Sequence, residues 1–445
     1  MHDRPAQSTA LAVVVIALIA GACSPSPAPS GVNGLAAVPS SAPASVATAT
    51  PTPDPTPVPS AIPAPGHELY GFVPYWEMDG TIAAHLAATP LTTLALFSVS
   101  TLPDGTINRT QNGYRRIVSA LGRQLITEAH ARGTRVELVY TSFGVETNAS
   151  FFADSTRMEA AISELVAFVR STHVDGVNVD VEEFSSDLVP VYGAFLARLH
   201  ESLVAVDAKA QVSVATTAGP LGAAMAKAAT DVGVERVFMM GYDYRVGGSE
   251  PGAESPILRS DGGDKSLTSS LDLYVAAGVP PERTFLGLPL YGMVWPVAGP
   301  VVGAPQTGVG RTWIIKQHVG LLSNPSAAPV LDAIEQVEVY FLGSDGSIGQ
   351  PPNPTDGVII PASASPDVGA ASGTPGVTGS ARPSATAGVT WQAVYVDSPA
   401  TLAAKLALAN ARGLVGAGFW AIGYERGLPA YTDLMRRFTA GDVLP

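Results

Sequence analysis

The sequence predicts a (β/α)8 barrel, the TIM-barrel architecture, with an insertion between its seventh and eighth strands. Eight short apolar runs rich in β-branched and aromatic residues recur between residues 69 and 422. Helical patterns fill most of the gaps, and that alternation builds a parallel sheet with helices outside it. No Gly-rich phosphate loop follows the first run, where GFVPYW stands instead. This weakens the open doubly wound sheet, the alternative architecture.

In chain order, residues 1–23 place Arg4 before an apolar run from Leu11 to Ala20, followed by Gly21 and Ala22. That is the layout of a secretory signal, and the run is short for a membrane-spanning helix. Cys23, the single cysteine, sits where a bacterial lipoprotein is cleaved and lipidated, and IAGAC resembles such a site. The other reading is ordinary cleavage nearby with an incidental cysteine. The expectation is an exported chain at a bacterial cell surface, lipid-anchored through Cys23. Residues 24–65 are almost entirely Pro, Ala, Ser, Thr, Gly and Val, which suits a stiff, extended, disordered linker.

The folded region is expected over residues 66–440. Its strands are predicted at Leu69–Tyr75, Thr93–Val99, Arg135–Thr141, Val174–Glu182, Gln211–Thr217, Arg236–Tyr242, Thr284–Tyr291 and Gly416–Ile422. Helices are predicted at Arg115–Arg132, Arg157–Thr172, Leu188–Asp207, Leu267–Ala277 and Thr401–Arg412. From about Ser344 to Gly388 the composition returns to Pro, Gly, Ala and Ser, so a disordered insertion is predicted there.

The fourth strand carries the chemistry. It reads VDGVNVDVEE over residues 174–183, with Val177, Val179 and Val181 alternating with Asn178, Asp180 and Glu182. A period of two sends the valines to one face and the polar groups to the other, about 6–7 Å apart along the strand. Carboxylates are costly to bury, so an apolar protein that lines them up inside needs a reason. If the valines face the helices, Asn178, Asp180 and Glu182 face the lumen, with Glu182 nearest the rim where barrel active sites lie. Glu183 has the wrong parity. A rim salt-bridge network is the bland reading, but no Lys or Arg occurs between Arg170 and Arg198. Burial and the neighbouring Asp180 should both keep Glu182 protonated near neutral pH, as the acid of a glycosidase requires.

Composition narrows the partner. Hydrophobic residues make up 46% of the 445, charged residues 14%, and the net charge is −13. An acidic chain disfavours nucleic acid and anionic membranes, leaving a neutral ligand. The seven histidines form no spaced cluster and no HExxH occurs, so neither metal nor cofactor is expected. GGSEPG and DGGD read as turns.

The stretch DGVNVDVE resembles the DGxDxDxE signature of glycoside hydrolase family 18, the chitinases and related N-acetylglucosaminidases. MGYD (Met240–Asp243) resembles that family's MxYD, LGLPLYGMVW (Leu286–Trp295) its GLPLYGxxW, and GFWAIGYE (Gly418–Glu425) its eighth strand. The similarity spans about residues 68–438 apart from the insertion. GFVPYW and GGSEPGAESPI are most similar to a bacterial branch that includes spore-cortex N-acetylglucosaminidases. The resemblance implies a barrel in which Glu182 is the general acid, and the substrate's own 2-acetamido oxygen, rather than a protein nucleophile, attacks the anomeric carbon. It implies that Asp180 orients the acetamido group, that Tyr242 binds its carbonyl with Met240 and Asp243 alongside, and that Trp420 floors the reacting subsite. Asn178 departs from the commonest pattern, since an amide cannot hold a second charge.

Tyr75, Trp76, Tyr244, Tyr291 and Trp295 lie at or just past predicted strand ends, where rings stack on sugars or pack a core. Trp313 and Trp391 are taken as packing or insert residues. The expected function is a monomeric, exported hydrolase of β-1,4-linked N-acetylglucosamine polymers, chitin-type or peptidoglycan. The alternative is a sugar-binding lectin on the same fold. An exported solute-binding protein would need two similar lobes, which the chain does not show.

Overall fold

The structure, a computed structural model, describes residues 66–349 and 388–442. The predicted signal with Cys23, the linker at 24–65 and residues 350–387 of the predicted insertion lie outside the described residues.

Fourteen strands are formed among the described residues. They are β1 (Glu68–Pro74), β2 (Thr93–Val99), β3 (Arg135–Phe143), β4 (Gly176–Glu182), β5 (Gln211–Thr217), β6 (Arg236–Met240), β7 (Thr284–Pro289), β8 (Tyr291–Val297), β9 (Arg311–Ile314), β10 (Val330–Asp332), β11 (Val337–Gly343), β12 (Ile348–Gly349), β13 (Trp391–Val396) and β14 (Gly416–Trp420). Eight of them close a parallel barrel in the order β1-β14-β7-β6-β5-β4-β3-β2. The predicted fold class is therefore the observed one, and all eight predicted strands are present. Three end two residues early: β6 stops at Met240, so Tyr242 lies beyond it, β7 stops at Pro289 and β14 stops at Trp420.

Alternation divides the barrel's side chains into two cores. Val177, Val179 and Val181 join Leu138, Val212, Val214 and Leu286 in the shell between strands and helices. The lumen is plugged by Tyr70, Phe72, Phe97, Phe238 and Phe285. Phe238 and Phe72 meet edge to face at 4.8 Å, and Tyr70 lies 5.5 Å from Phe238. This plug requires two glycines. A Cβ at Gly287 would stand 2.4 Å from Phe238 Cε1, and one at Gly418 would stand 2.5 Å from Cε2 of the same ring.

The insertion begins earlier and is more ordered than the sequence reading allowed. Tyr291 is not the end of the seventh barrel strand but the start of β8, which leaves the barrel and pairs with β9 and β13. With β10 and β11 these form an antiparallel sheet, order β10-β11-β13-β8-β9. Residues 344–349, placed in the insertion, belong to a hairpin in which β12 pairs with β11. The signal is faint because β9, β10 and β12 have only 4, 3 and 2 residues and helices do not alternate with the strands of this sheet as they do in the barrel. Trp295, a candidate sugar platform, is fully buried in this sheet's own core with Tyr395 and Phe341. Trp313 is also buried, stacked on His318 at 4.1 Å.

The predicted helix Arg115–Arg132 is two helices, Asn112–Ile117 and Ala120–Ala131. Ser119 divides them. Its Oγ accepts from Gly122 N–H at 3.2 Å and donates to the Arg116 carbonyl at 2.7 Å, ending one helix and capping the next. No helix of the described residues is long and apolar enough to cross a membrane.

The glycine requirement is testable. Gly287→Ala and Gly418→Ala should each lower stability by about 1–3 kcal/mol, the usual cost of overpacking a dense core, in urea unfolding. Pairing Gly418→Ala with Phe238→Leu should recover part of that loss.

Candidate active site

The residues singled out on β4 converge at the C-terminal end of the barrel. Asn178 is fully buried and Asp180 nearly so at 4% exposure, while Glu182, one step higher, is half-buried at the rim. Glu183 is exposed with a φ of 55°, and its carboxylate turns toward Gly144 beyond β3. Parity thus separates the two glutamates as read from sequence. The strand end is pinned by Asn148, whose Nδ2 donates to the Glu182 carbonyl at 2.5 Å and whose Oδ1 accepts from Ser142 Oγ at 2.7 Å.

Burial is the largest influence on both inward carboxyls. It pushes Asp180 well above the usual carboxylate range, with the neighbouring Glu182 acting in the same direction. Glu182 is pushed up to about 7 by burial, then by the charges of Asp243 and Glu183. The charge that helps keep Glu182 protonated is thus chiefly Asp243, where sequence reasoning named Asp180. Asp180 lies deeper and itself favours a proton. Asn178 Oδ1 and Asp180 Oδ1 are both buried without a hydrogen-bond partner. Two acceptors on one strand face lack a donor, and a proton on Asp180 would supply one.

Beyond β6, Tyr242 faces the same carboxyls. Burial, then Asp243, Asp180 and Glu182, push its hydroxyl well up, so it stays protonated as a donor. Asp243, at a φ of 60°, accepts from the Tyr291 hydroxyl at 2.7 Å. Tyr291 and Tyr242 meet edge to face at 6.3 Å. The first residue of the inserted sheet therefore helps set the site. Met240 packs on the lumen aromatics below Tyr242. Trp420 ends β14 with its ring edge to face on Phe97 at 4.8 Å and tilted on Phe72 at 5.7 Å, so it caps the plug. Trp76 stands 6.3 Å from Trp420 and Tyr75 stands 4.9 Å from Trp76, both past the end of β1. Tyr244 is engaged elsewhere, its hydroxyl bonded to Ser270 Oγ at 2.7 Å.

Two acids escaped the sequence reading. Glu254 lies two residues past the GGSEPG turn, within the segment GGSEPGAESPI, and is 3% exposed. Its carboxyl is pushed well up by burial and by Asp243, and its Oε2 has no partner. No periodicity marks it. Glu137 was legible, because it alternates with Val136 and Leu138 on β3 as Asp180 does with its valines. It is buried in the lumen, where Tyr70 Oη donates to it at 2.7 Å and Ser213 Oγ at 2.5 Å, and Ser213 accepts from Asn178 Nδ2 at 2.7 Å. Burial raises its pKa.

These shifts link the site to stability. Glu182 has a folded pKa raised above its unfolded value, so its contribution is fully present below about pH 4.5 and is lost as pH rises through about 7. Glu182→Gln should therefore be more stable than the wild type at pH 8, by roughly 1–2 kcal/mol after discounting for solvent screening, and no more stable at pH 4. Thermal unfolding at the two pH values checks this.

Residues 71–425 match glycosyl hydrolases family 18. YdhD of Bacillus subtilis is 24% identical over 264 residues, covering 57% of this chain and 56% of its own length, so the chain spans about half of that relative. The spore cortex-lytic enzyme SleL of Bacillus cereus shares the fold at a TM-score of 0.59 and 17% identity, over 84% of this chain and 74% of that one. A family 18 N-acetylglucosaminidase of Paenibacillus barengoltzii superimposes at a TM-score of 0.62 and 16% identity, over 84% and 99%. A closed parallel barrel, an acid-bearing fourth strand at its rim and a family match across most of the described residues agree: the chain belongs to glycosyl hydrolases family 18.

Proposed function

We propose that the chain is a retaining glycosidase that cleaves β-1,4 bonds next to N-acetylglucosamine in chitin-type or peptidoglycan glycans. One observation carries the reading: Glu182 stands at the barrel rim with its carboxyl pushed up to about 7. A carboxylic acid that keeps its proton at neutral pH can deliver it to the leaving glycosidic oxygen. As that bond breaks, the acetamido oxygen of the same sugar attacks the anomeric carbon and closes an oxazolinium ring. Asp180, beneath Glu182, accepts from the acetamido N–H and, in its ionised form, stabilises the positive charge that develops. The Tyr242 hydroxyl donates to the acetamido oxygen and Trp420 floors the sugar. Glu182, now ionised, takes a proton from water, and the hydroxide opens the ring from the face that the leaving group left. Two displacements retain configuration.

Asn178 binds no proton of its own and accepts one hydrogen bond from Asp180 when Asp180 is protonated. Export and lipid anchoring belong to this reading and rest on residues 1–23.

Glu182→Gln should lower release of nitrophenol from an N-acetylchitooligosaccharide glycoside by about 10²–10⁴-fold while leaving sugar binding intact. Full residual activity would overturn the assignment. A wild-type protein that binds such sugars and never cleaves them would favour the lectin. For the wild type, kcat should fall as pH rises through about 7, where Glu182 loses its proton. The first anomer seen by NMR should be β, and an α product would contradict the displacement sequence.

A further inference from the structure

A second cleft adjoins the candidate site and uses chemistry that a neutral sugar does not need. Tyr75, Trp76, Asn112, Arg115, Arg116 and Ser119 line about 410 Å³ of space, within the range of small-molecule clefts. The split in the helix after β2 creates it, because the short helix Asn112–Ile117 carries both arginines to the rim beside the end of β1.

Two features mark it as more than a surface dent. Trp76 is 47% exposed, unusual for a tryptophan, and is held in place by its indole N–H donating to the Tyr424 hydroxyl at 3.0 Å. An anchored ring with an open surface is a stacking platform. The same ring stands 6.3 Å from Trp420, so cleft and site share a wall. Arg115 and Arg116 are exposed and adjacent, both line the cleft, and neither has an ion-pair partner among the described residues. On a chain of net charge −13, two neighbouring unneutralised cations repel each other and form a local positive field. A carboxylate between them would relieve that repulsion, and guanidinium forks match its geometry.

We propose that this cleft is a subsite for an anionic sugar, one whose ring stacks on Trp76 and whose carboxylate is taken by Arg115 and Arg116. The inference rests on the glycosidase reading and narrows it to an N-acetylglucosamine polymer whose other sugars bear a carboxylate, as peptidoglycan strands do. Chitin offers the arginines nothing, and deacetylated, cationic glucosamine is repelled.

The test compares three glycans: an N-acetylchitooligosaccharide, a peptide-free peptidoglycan strand, and the same strand with its carboxyls reduced to alcohols. Binding is measured by calorimetry in the full-length Glu182→Gln chain, with and without Arg115→Ala and Arg116→Ala together, and kcat/KM with Glu182 present. The arginine variant should bind the carboxylate strand about tenfold more weakly and lose most of the salt dependence of that binding. It should hold the other two glycans within twofold and show the same pattern in kcat/KM. Equal losses on all three glycans, or no loss on the carboxylate strand, would overturn the subsite. A chain that binds these glycans without cleaving them defeats the glycosidase reading, and the binding comparison still decides the subsite. A chain that binds none of them overturns both. Matched melting temperatures confirm that the surface variants fold.

Discussion

Everything at this site depends on holding two carboxyls, Asp180 and Glu182, on the inward face of one strand inside an aromatic-plugged barrel. The cost of burying charge is what raises their pKa values, and the raised values are what make the pair useful at neutral pH. The rest of the molecule maintains that burial. Phe72, Phe97 and Phe238 fill the lumen below, and Gly287 and Gly418 make room for the rings. Asn148 fixes the strand end so that the backbone turn falls after Glu182 and sends Glu183 outward.

The inserted sheet is part of the same device. Its first strand follows β7 with only Leu290 between them, so the turn that leaves the barrel puts Tyr291 against Asp243. Asp243 in turn is one of the charges that push up Glu182, and Glu254 sits against both Asp243 and Tyr291. The rim thus gathers four acids from β4 and from the segment after β6. Burial and neighbouring carboxylates push Asp180, Glu182 and Glu254 up together, which favours keeping protons beside Glu182.

How much of this the sequence displayed follows from where the signal is periodic. Parity on β4 located Asn178, Asp180 and Glu182 and excluded Glu183, because a period of two is strict in a closed barrel. The same rule applied to β3 would have found Glu137. Tyr242, Asp243 and Trp420 came from motif resemblance, since loop and strand-end positions have no periodicity to read. Glu254 was invisible for that reason, lying in an irregular segment whose glycines spoke louder than its acid. The inserted sheet was missed because three of its six strands are short and its core is its own, so Trp295 looked like a rim aromatic when it was a core one. The short helix that carries Arg115 and Arg116 was read as continuous with the next, because one serine cap is a weak break in a long amphipathic pattern.

The central claim is that Glu182 keeps a proton at neutral pH, and infrared difference titration reads that proton directly. The stretch of a protonated carboxyl should persist from pH 5 to about 7 in the wild type, and the part lost on approaching pH 8 should be missing from Glu182→Gln. Absence of any protonated-carboxyl band above pH 5, or a band that Glu182→Gln leaves unchanged, would contradict the account.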